Sequence, residues 1–105
     1  MIVSTKGKLA QKAIGGDFRK GLPPILVQRI RAMLSAMDAA TSLEDLKFPP
    51  GNRLEALSGD RLGQHALRVN AQWRICFTWT REGPRDVEIV DYHLRVKTMS
   101  MLNSP

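Results

Sequence analysis

The spacing of apolar residues changes once along the chain and divides it into a helical half and a strand-rich half. Before residue 50, apolar residues recur at intervals of three and four, which is the spacing of one face of an α-helix. After that point they alternate with polar residues, as in strands that bury one face. The pattern predicts an α+β domain in which two N-terminal helices pack on one face of a small antiparallel β-sheet.

Two helices are predicted after a short opening strand at residues 1–5. The first covers residues 8–14 and is ended by Gly15-Gly16; its inward residues are Leu9, Ala13 and Ile14. The second begins at Pro23-Pro24, which suit a first turn, and its apolar face consists of Leu26, Ile30, Met33, Leu34 and Met37. Arg29 and Arg31 fall on its other face, where exposure to solvent is expected and phosphate contact is the alternative. A short turn capped by Ser42 is predicted next.

Four more strands are predicted, at residues 53–57, 64–70, 73–79 and 87–92. In the third, one face consists of Trp73, Ile75, Phe77 and Trp79, and the other of Arg74, Cys76 and Thr78. Residues 81–85 are predicted to form a hairpin loop, which makes the last two strands antiparallel neighbours. This geometry places Arg74, at the start of one strand, beside the end of the next. Arg68, across the Asn70-Ala71-Gln72 turn, reaches the same end of the sheet.

The last strand ends in three side chains that can hold or move a proton, Asp91, Tyr92 and His93. Beside a fixed cation they suit RNA cleavage, in which a base takes the 2′-hydroxyl proton, cations neutralise the phosphate and an acid protonates the leaving oxygen. Histidine suits either proton role because its unperturbed pKa is about 6.5. Asp91 is a candidate to orient His93 or to hold an arginine. The structural alternative is a surface Asp–His pair with Tyr92 as a core aromatic.

The charge balance favours an anionic partner. Sixteen Lys and Arg residues face ten Asp and Glu residues, which gives a formal net charge of +6. Nucleic acid is the commonest partner of such a surface. A basic surface that serves only solubility, or one that binds an acidic protein, has the same composition.

The chain has one cysteine, Cys76, which excludes an internal disulfide and a metal site built from thiolates. Because Cys76 lies within a strand pattern, we expect a packed thiol rather than a nucleophile. No apolar run approaches the roughly 18 residues of a membrane span, and the N-terminus has no signal-peptide core. These features predict a cytoplasmic protein.

The segment from Leu54 to His93 resembles the HigB branch of the RelE-type toxins of bacterial toxin–antitoxin modules. The matching motifs are Leu57-x-Gly59-Asp60, Val69-Asn70-x-x-Trp73-Arg74-Ile75-x-Phe77, Asp86-Val87 and Asp91-Tyr92-His93. The resemblance implies a ribosome-dependent endoribonuclease that enters the ribosomal A site and cuts mRNA without a metal or another cofactor. It also implies neutralisation by a HigA-type helix-turn-helix antitoxin, with operator DNA bound only through that complex and no membrane partner.

The resemblance carries over to individual residues only in part. Arg74, Asp91, Tyr92 and His93 match positions with active-site roles in the family. Relatives often have His at Glu55 and Lys at Ser58, and some have Arg at Asn70, so this chain lacks two of the usual cations and one ring. The substitutes near in sequence, as RNA- or phosphate-binding candidates, are Arg53, Arg61 and Arg68.

Two other functions stay open beside the nuclease. One is a non-nuclease toxin on the same fold, a ParE-like poison of DNA gyrase. The other is a catalytically weak toxin that acts mainly as an antitoxin-binding co-repressor. The expected organisation is a toxin domain at residues 1–93 and a C-terminal tail at residues 94–105, whose last residues resemble the opening of an antitoxin only faintly.

Overall fold

A computed structural model of the protein describes residues 1–18 and 21–92. Helix α1 covers Lys8–Ile14 and helix α2 covers Val27–Ala39. The strands are β1 (Glu55–Ala56), β2 (His65–Arg68), β3 (Trp73–Thr80) and β4 (Gly83–Asp91). Single 3₁₀ turns lie at Pro24–Leu26, Leu43–Lys47, Pro50–Asn52 and Gly59–Arg61. The predicted α+β class is therefore confirmed. Within these residues, no helix is both long enough and apolar enough to cross a membrane.

The four strands form one sheet in chain order, and every neighbouring pair is antiparallel. The connections from β2 to β3 and from β3 to β4 are short, and a tight connection makes consecutive strands antiparallel neighbours; β1 reaches β2 through a longer connection that contains the 3₁₀ turn Gly59–Arg61. The helices cover one face, and their buried side chains pack there against those of the sheet; the largest are Ile30, Met37, Leu67, Ile75, Phe77 and Val87. Burying each such side chain contributes about 1.5–3 kcal/mol. The other face of the sheet carries the charged residues Arg68, Arg74 and Glu88 together with Ala66, Cys76 and Val90, of which Ala66 and Cys76 are fully buried.

The helical predictions are right in position but partly wrong in which residues are buried. The apolar face of α2 is buried as predicted at Ile30, Met33, Leu34 and Met37. In α1, Ala10 is fully buried beside Ala13, whereas Ile14 is 44% exposed. The small side chains of Ala10 and Ala13 form the surface of α1 that faces the core. The helix is therefore turned about its axis relative to the prediction, and Ile14 lies at the edge of the buried face.

The N-terminal residues do not form the predicted regular strand. They run extended beside β4, joined by one parallel bridge between Thr5 and Val87 and by a hydrogen bond from Val3 N to the Pro84 carbonyl of 2.7 Å. The approach is close, since a Cβ placed on Gly83 would lie 2.0 Å from the Met1 carbonyl oxygen. Asp86 has a φ of 53° opposite a register shift between Cys76 and Thr78, and this bulge interrupts regular pairing.

The ends of the strands also differ from the prediction. The strand β1 is only two residues long, and Arg53, two residues before it, has a left-handed φ of 47° that does not belong to a strand. The hairpin turn consists of Arg81 and Glu82, because Thr80 already pairs with Gly83 and Trp79 with Pro84. Residues 83–85 therefore belong to β4, not to a loop; proline is tolerated there at the beginning of a strand.

The turn predicted at Ser42 is present as the 3₁₀ turn Leu43–Lys47. The Asp45 carboxylate accepts hydrogen bonds from the backbone N–H groups of Thr41 at 3.0 Å and Ser42 at 3.2 Å. These bonds favour the ionised form and hold the pKa of Asp45 below its usual value. The Asp45 carboxylate therefore stabilises the chain segment that follows α2, by bonding the backbone at Thr41 and Ser42.

Candidate functional site

Two arginines lie in register on the sheet face opposite the helices. Arg68 of β2 pairs with Arg74 of β3, which pairs with Val90 of β4. Ile75, next to Arg74, points into the core and is fully buried, so strand alternation turns Arg74 to the outer face. The predicted meeting of Arg68 and Arg74 at one end of the sheet is confirmed.

The Arg74 guanidinium is held by the turn that precedes its own strand. Its Nη1 donates to the carbonyl oxygen of Asn70 and, at 3.2 Å, to that of Trp73. Its Cζ lies 5.0 Å from the centroid of the Tyr92 ring, within the range of a cation–π contact. Arg74 is half-buried, so it presents a fixed positive charge rather than a freely moving one.

Tyr92 and Asp91 are adjacent in sequence but point to opposite sides of the sheet. Asp91 pairs with the buried Trp73, and its Oδ2 accepts a hydrogen bond of 3.1 Å from Gln72 Nε2. The backbone N–H of Tyr92 donates to the Gln72 carbonyl, and the Tyr92 ring lies beside Arg74. The geometry therefore brings Tyr92 to Arg74 and places Asp91 with Gln72. His93, predicted as an acid or base, lies outside the described residues.

Arg61 is the predicted phosphate ligand that already has an acidic partner. Its Nη1 lies 3.1 Å from Glu88 Oε1 and 2.8 Å from Gln64 Oε1. The Arg61 and Glu88 side chains are only 11% and 25% exposed, so water screens the pair less than it screens a surface ion pair. Glu88 pairs with Cys76 of β3 and therefore shares the outer face with Arg74. Cys76 itself is fully buried, as expected for a packed thiol.

Arg53 lies at the same end of the sheet as Arg68, but none of the described residues there is a partner that fixes the orientation of its side chain. Continuing the pairing of Glu55 with Ala66 places Arg53 level with Arg68. Its side chain is exposed, and its left-handed backbone removes it from strand alternation. Its position is compatible with a phosphate contact, but its side chain is not held against Arg74 or Tyr92.

Asn70, at a position where the family resemblance implies a cation, forms the turn that carries Arg74. Its Oδ1 accepts hydrogen bonds from the backbone N–H groups of Gln72 at 2.9 Å and Trp73 at 2.7 Å. A side chain that bonds the backbone two and three residues ahead is typical of Asn in turns. Asn70 is therefore a structural residue here, because its Oδ1 is used by the turn.

Two residues near the site were not recognised from sequence. Glu88 could have been found by alternation, because it is two residues from Val90 on the face of Arg74. Arg29 was expected in solvent, and that expectation is wrong: it is half-buried, with Nε 2.6 Å from the Val69 carbonyl and Nη2 2.9 Å from the Arg68 carbonyl. The spacing of α2 gives no signal for these contacts. Arg31, in contrast, is exposed and lies over the Phe18 ring at 4.6 Å.

The described residues contain no group of three or more His, Cys, Asp or Glu side chains arranged to hold a metal ion. What the face offers is a fixed guanidinium, a second arginine in register with it and a phenol beside it. Guanidinium groups bind phosphate oxygens in a fixed geometry, and a phenol can donate or accept a proton. The arrangement can therefore bind a phosphodiester and place a proton-handling group next to it.

Comparison with known proteins places the chain in a family. Residues 7–94 match the model of the HigB-like toxins, described as RelE-like toxins of the type II toxin–antitoxin system HigB. Toxin HigB-1 of Vibrio cholerae is 36% identical over 80 residues, covering 75% of this chain and 84% of the relative. Endoribonuclease HigB of Proteus vulgaris is 33% identical over 93 residues, covering 89% of this chain and all of the relative. The chain therefore belongs to the HigB-like toxins of type II toxin–antitoxin systems, in which a toxin has an antitoxin as its partner.

Proposed function

We propose that this toxin is a ribosome-dependent endoribonuclease that cleaves mRNA through the RNA 2′-hydroxyl, with all reacting groups supplied by side chains. The observation that carries the proposal is the placement of Tyr92 beside the fixed cation Arg74, with Arg68 in register on the same face. The relative from Proteus vulgaris, which this chain matches over that protein's full length, is named an endoribonuclease. That name supports the nuclease class but not a role for any single residue.

The proposed reaction needs two proton transfers and one site of positive charge. The 2′-oxygen attacks phosphorus while a base removes its proton, and the bond from phosphorus to the 5′-oxygen breaks as an acid protonates that oxygen. The products are a 2′,3′-cyclic phosphate and a free 5′-hydroxyl. Arg74 and Arg68 would neutralise the phosphate, and this kind of stabilisation is usually the largest single contribution. Tyr92 and His93 would provide the base and the acid, each contributing about 10²–10⁴-fold.

Asp91 has a supporting role in this proposal. Because its carboxylate is held by Gln72 on the side of the sheet away from Arg74, it would act through the strand end that carries Tyr92 and not as an acid or base. Arg53 and Arg61 would contact RNA only at the margin. Arg61 is partly neutralised by Glu88, and Arg53 is exposed before β1.

The ribosome would compensate for the small number of cations on this face. Two arginines in register give few phosphate contacts, and phosphate contacts dominate the affinity for nucleic acid. An mRNA already held in the A site would need little further binding energy from the toxin. We therefore propose the ribosome and mRNA as partners, a HigA-type helix-turn-helix protein as the antitoxin, and operator DNA bound only through their complex. These events would take place in the cytoplasm and would involve residues 1–93, with residues 94–105 as a tail.

The experiment is inducible expression of the chain in bacteria, followed by primer extension on an abundant mRNA with and without translation. Cuts inside translated codons that disappear when initiation is blocked are the expected result. Arg74→Ala should abolish them. Arg85→Ala, which removes an exposed arginine at the other end of β4, should leave them unchanged. Growth inhibition with DNA damage and no cuts would move the assignment to a gyrase poison.

A second candidate function is a weak enzyme that serves mainly as co-repressor. It is favoured by the positions where relatives carry extra cations, since Asn70 is used by the turn and Arg61 is paired. Operator binding by the complex together with no toxicity and no cuts from the free chain would support it.

A further inference from the structure

We infer that Arg29 is a positioning residue, which acts from helix α2 through the β2–β3 turn to hold Arg74 beside Tyr92. The inference rests on the proposed function where it concerns cleavage, and on geometry alone where it concerns the placement of the two side chains. Arg29 lies on the helix side of the molecule and would not itself contact the RNA.

The Arg29 guanidinium forms hydrogen bonds with four acceptors around the β2–β3 turn and the 3₁₀ turn Pro50–Asn52. Its guanidinium donates to the carbonyl oxygens of Val69 at 2.6 Å and Arg68 at 2.9 Å, and with longer bonds of 3.4 Å to the Gly51 carbonyl and Asn52 Oδ1. All four acceptors are neutral oxygens. The planar fork of an arginine can serve several such acceptors at once, whereas a lysine ammonium cannot reproduce this geometry.

Backbone hydrogen bonds of the β2–β3 turn connect Val69, an acceptor of Arg29, with Arg74. The N–H groups of Val69 and Asn70 both donate to the Trp73 carbonyl, so the end of β2 and the beginning of β3 form one hydrogen-bonded unit. The carbonyls of Asn70 and Trp73 in turn accept from Arg74. Arg29 therefore holds the turn from the helix side, and the same turn holds Arg74 on the outer face.

The β2–β3 turn is also hydrogen-bonded to Tyr92. The Gln72 carbonyl accepts from the Tyr92 N–H, and the Gln72 side chain donates to Asp91. The turn thus bonds both members of the candidate pair, Arg74 through its side chain and Tyr92 through its backbone. A shift of the turn would change the distance between them, and a misplacement of about 1 Å can cost roughly 10²-fold in rate.

Two further observations argue that Arg29 is placed for these contacts and not for the stability of α2. It is the third residue of the helix, where a positive charge opposes the helix dipole. Asn52, its side-chain acceptor, is a polar residue that is only 4% exposed, and a buried polar group is costly without a hydrogen-bond partner. Two polar side chains that the proposed chemistry does not use therefore converge on the back of the site.

The test compares Arg29→Lys with Arg31→Lys, the same change two residues further along α2 at an arginine that lies over Phe18. Tyr92 is the only tyrosine of the chain, so its ring signals in an NMR spectrum report the site without ambiguity. We expect Arg29→Lys to shift these signals and to lower single-turnover cleavage on saturating programmed ribosomes at least ~10-fold. Arg31→Lys should change neither, and ribosome binding should be the same for both variants.

Unmoved Tyr92 signals with an unchanged cleavage rate per folded molecule in Arg29→Lys would overturn the inference, even if its unfolding temperature fell. If the unaltered chain cleaves nothing, the proposed function fails, but the Tyr92 signals still decide the inference about position. If Arg29→Lys does not fold, Asn52→Ala replaces it, since that change leaves Arg29 in place and removes one of its acceptors. The same shift in smaller measure is then expected, and its absence would count against the inference.

Discussion

The Arg74 guanidinium, on β3, and the Tyr92 ring, directly after the end of β4, lie in contact, with Cζ 5.0 Å from the ring centroid. Neither side chain is placed by the other alone. The turn at residues 69–73 bonds the guanidinium of one and the backbone of the other. The contact between Arg74 and Tyr92 therefore depends on the turn, and the contribution of each residue can be tested by a separate substitution.

Arg74→Lys tests whether fixed geometry matters beyond charge. A lysine keeps the positive charge but loses the planar donors that bind two carbonyls and that, in the proposed mechanism, would also bind a phosphate. We expect Arg74→Ala to reduce single-turnover cleavage by about 10²–10³-fold, and Arg74→Lys to recover only a small part of that loss. Arg85→Lys is the matched control. Full recovery by lysine would mean that charge alone is required.

Tyr92→Phe tests the hydroxyl separately from the ring. The phenylalanine ring can still stack against Arg74, so the free energy of unfolding should change by less than about 0.5 kcal/mol. If the hydroxyl is the acid or base, cleavage should fall by about 10²–10⁴-fold. Urea unfolding and ribosome-programmed cleavage measure the two effects. Undiminished cleavage would assign both proton transfers elsewhere.

Glu88→Gln tests whether Glu88 limits binding by neutralising Arg61. Removing the carboxylate 3.1 Å from Arg61 leaves that cation available to phosphate. We expect tighter binding of single-stranded RNA and a steeper salt dependence, by up to about 0.7 in the slope of log affinity against log salt. Glu82→Gln, at the exposed hairpin turn, is the control. An identical slope in both variants would show that Arg61 does not reach RNA.

Asp45→Asn should destabilise the protein near neutral pH and have no such effect in acid. The pKa of Asp45 is lowered by the Thr41 and Ser42 N–H groups, so the ionised carboxylate is the stabilising form. Its contribution is complete above the ordinary carboxyl pKa of 3.8 and is lost as the pH falls through the lower folded-state pKa. Urea midpoints at pH 7 and below pH 3 should therefore differ between the variant and the original chain only at the higher pH. Asp38→Asn is a less suitable comparison, because Asp38 accepts a bond from Ile2; Glu44→Gln, with an exposed ion pair to Lys47, is the better control.

Gly83→Ala should be more destabilising than Gly63→Ala, although both glycines have positive φ. Both positions are strained for a residue with a side chain, with φ of 129° and 94°, at a cost on the order of 1–3 kcal/mol each. Only Gly83 adds a collision, because its Cβ would lie 2.0 Å from the Met1 carbonyl, whereas nothing lies within 4 Å of one on Gly63. Thermal unfolding of the two variants separates strain from collision, and equal losses would show that the N-terminal segment moves aside without cost.

The short-range pattern of apolar and polar residues was sufficient to predict the class of fold. It also predicted the part of the site that lies on neighbouring strands. The change of hydrophobic period predicted the helices and strands, because burial of one face imposes that period on any sequence. The tight turn at Asn70 predicted that Arg68 and Arg74 meet, and hairpin pairing predicted that Arg74 reaches the end of β4. These relationships depend on residues within about twenty positions of each other, and strand geometry alone decides them.

Only the tertiary structure decided which of these residues act together. The strand β4 ends between Asp91, which pairs with Trp73 and accepts a bond from Gln72, and Tyr92, which lies beside Arg74. The position of that strand end cannot be predicted from residue spacing. The pairing of Arg61 with Glu88 and the contact of Arg29 with the β2–β3 turn join residues 27 and 40 positions apart. Such contacts depend on how helix and sheet pack, because long polar side chains take whichever partner the packed backbone offers. The sequence determined that a cation and a phenol are present near one sheet edge, and the packing determined which of its cations are held and which are neutralised.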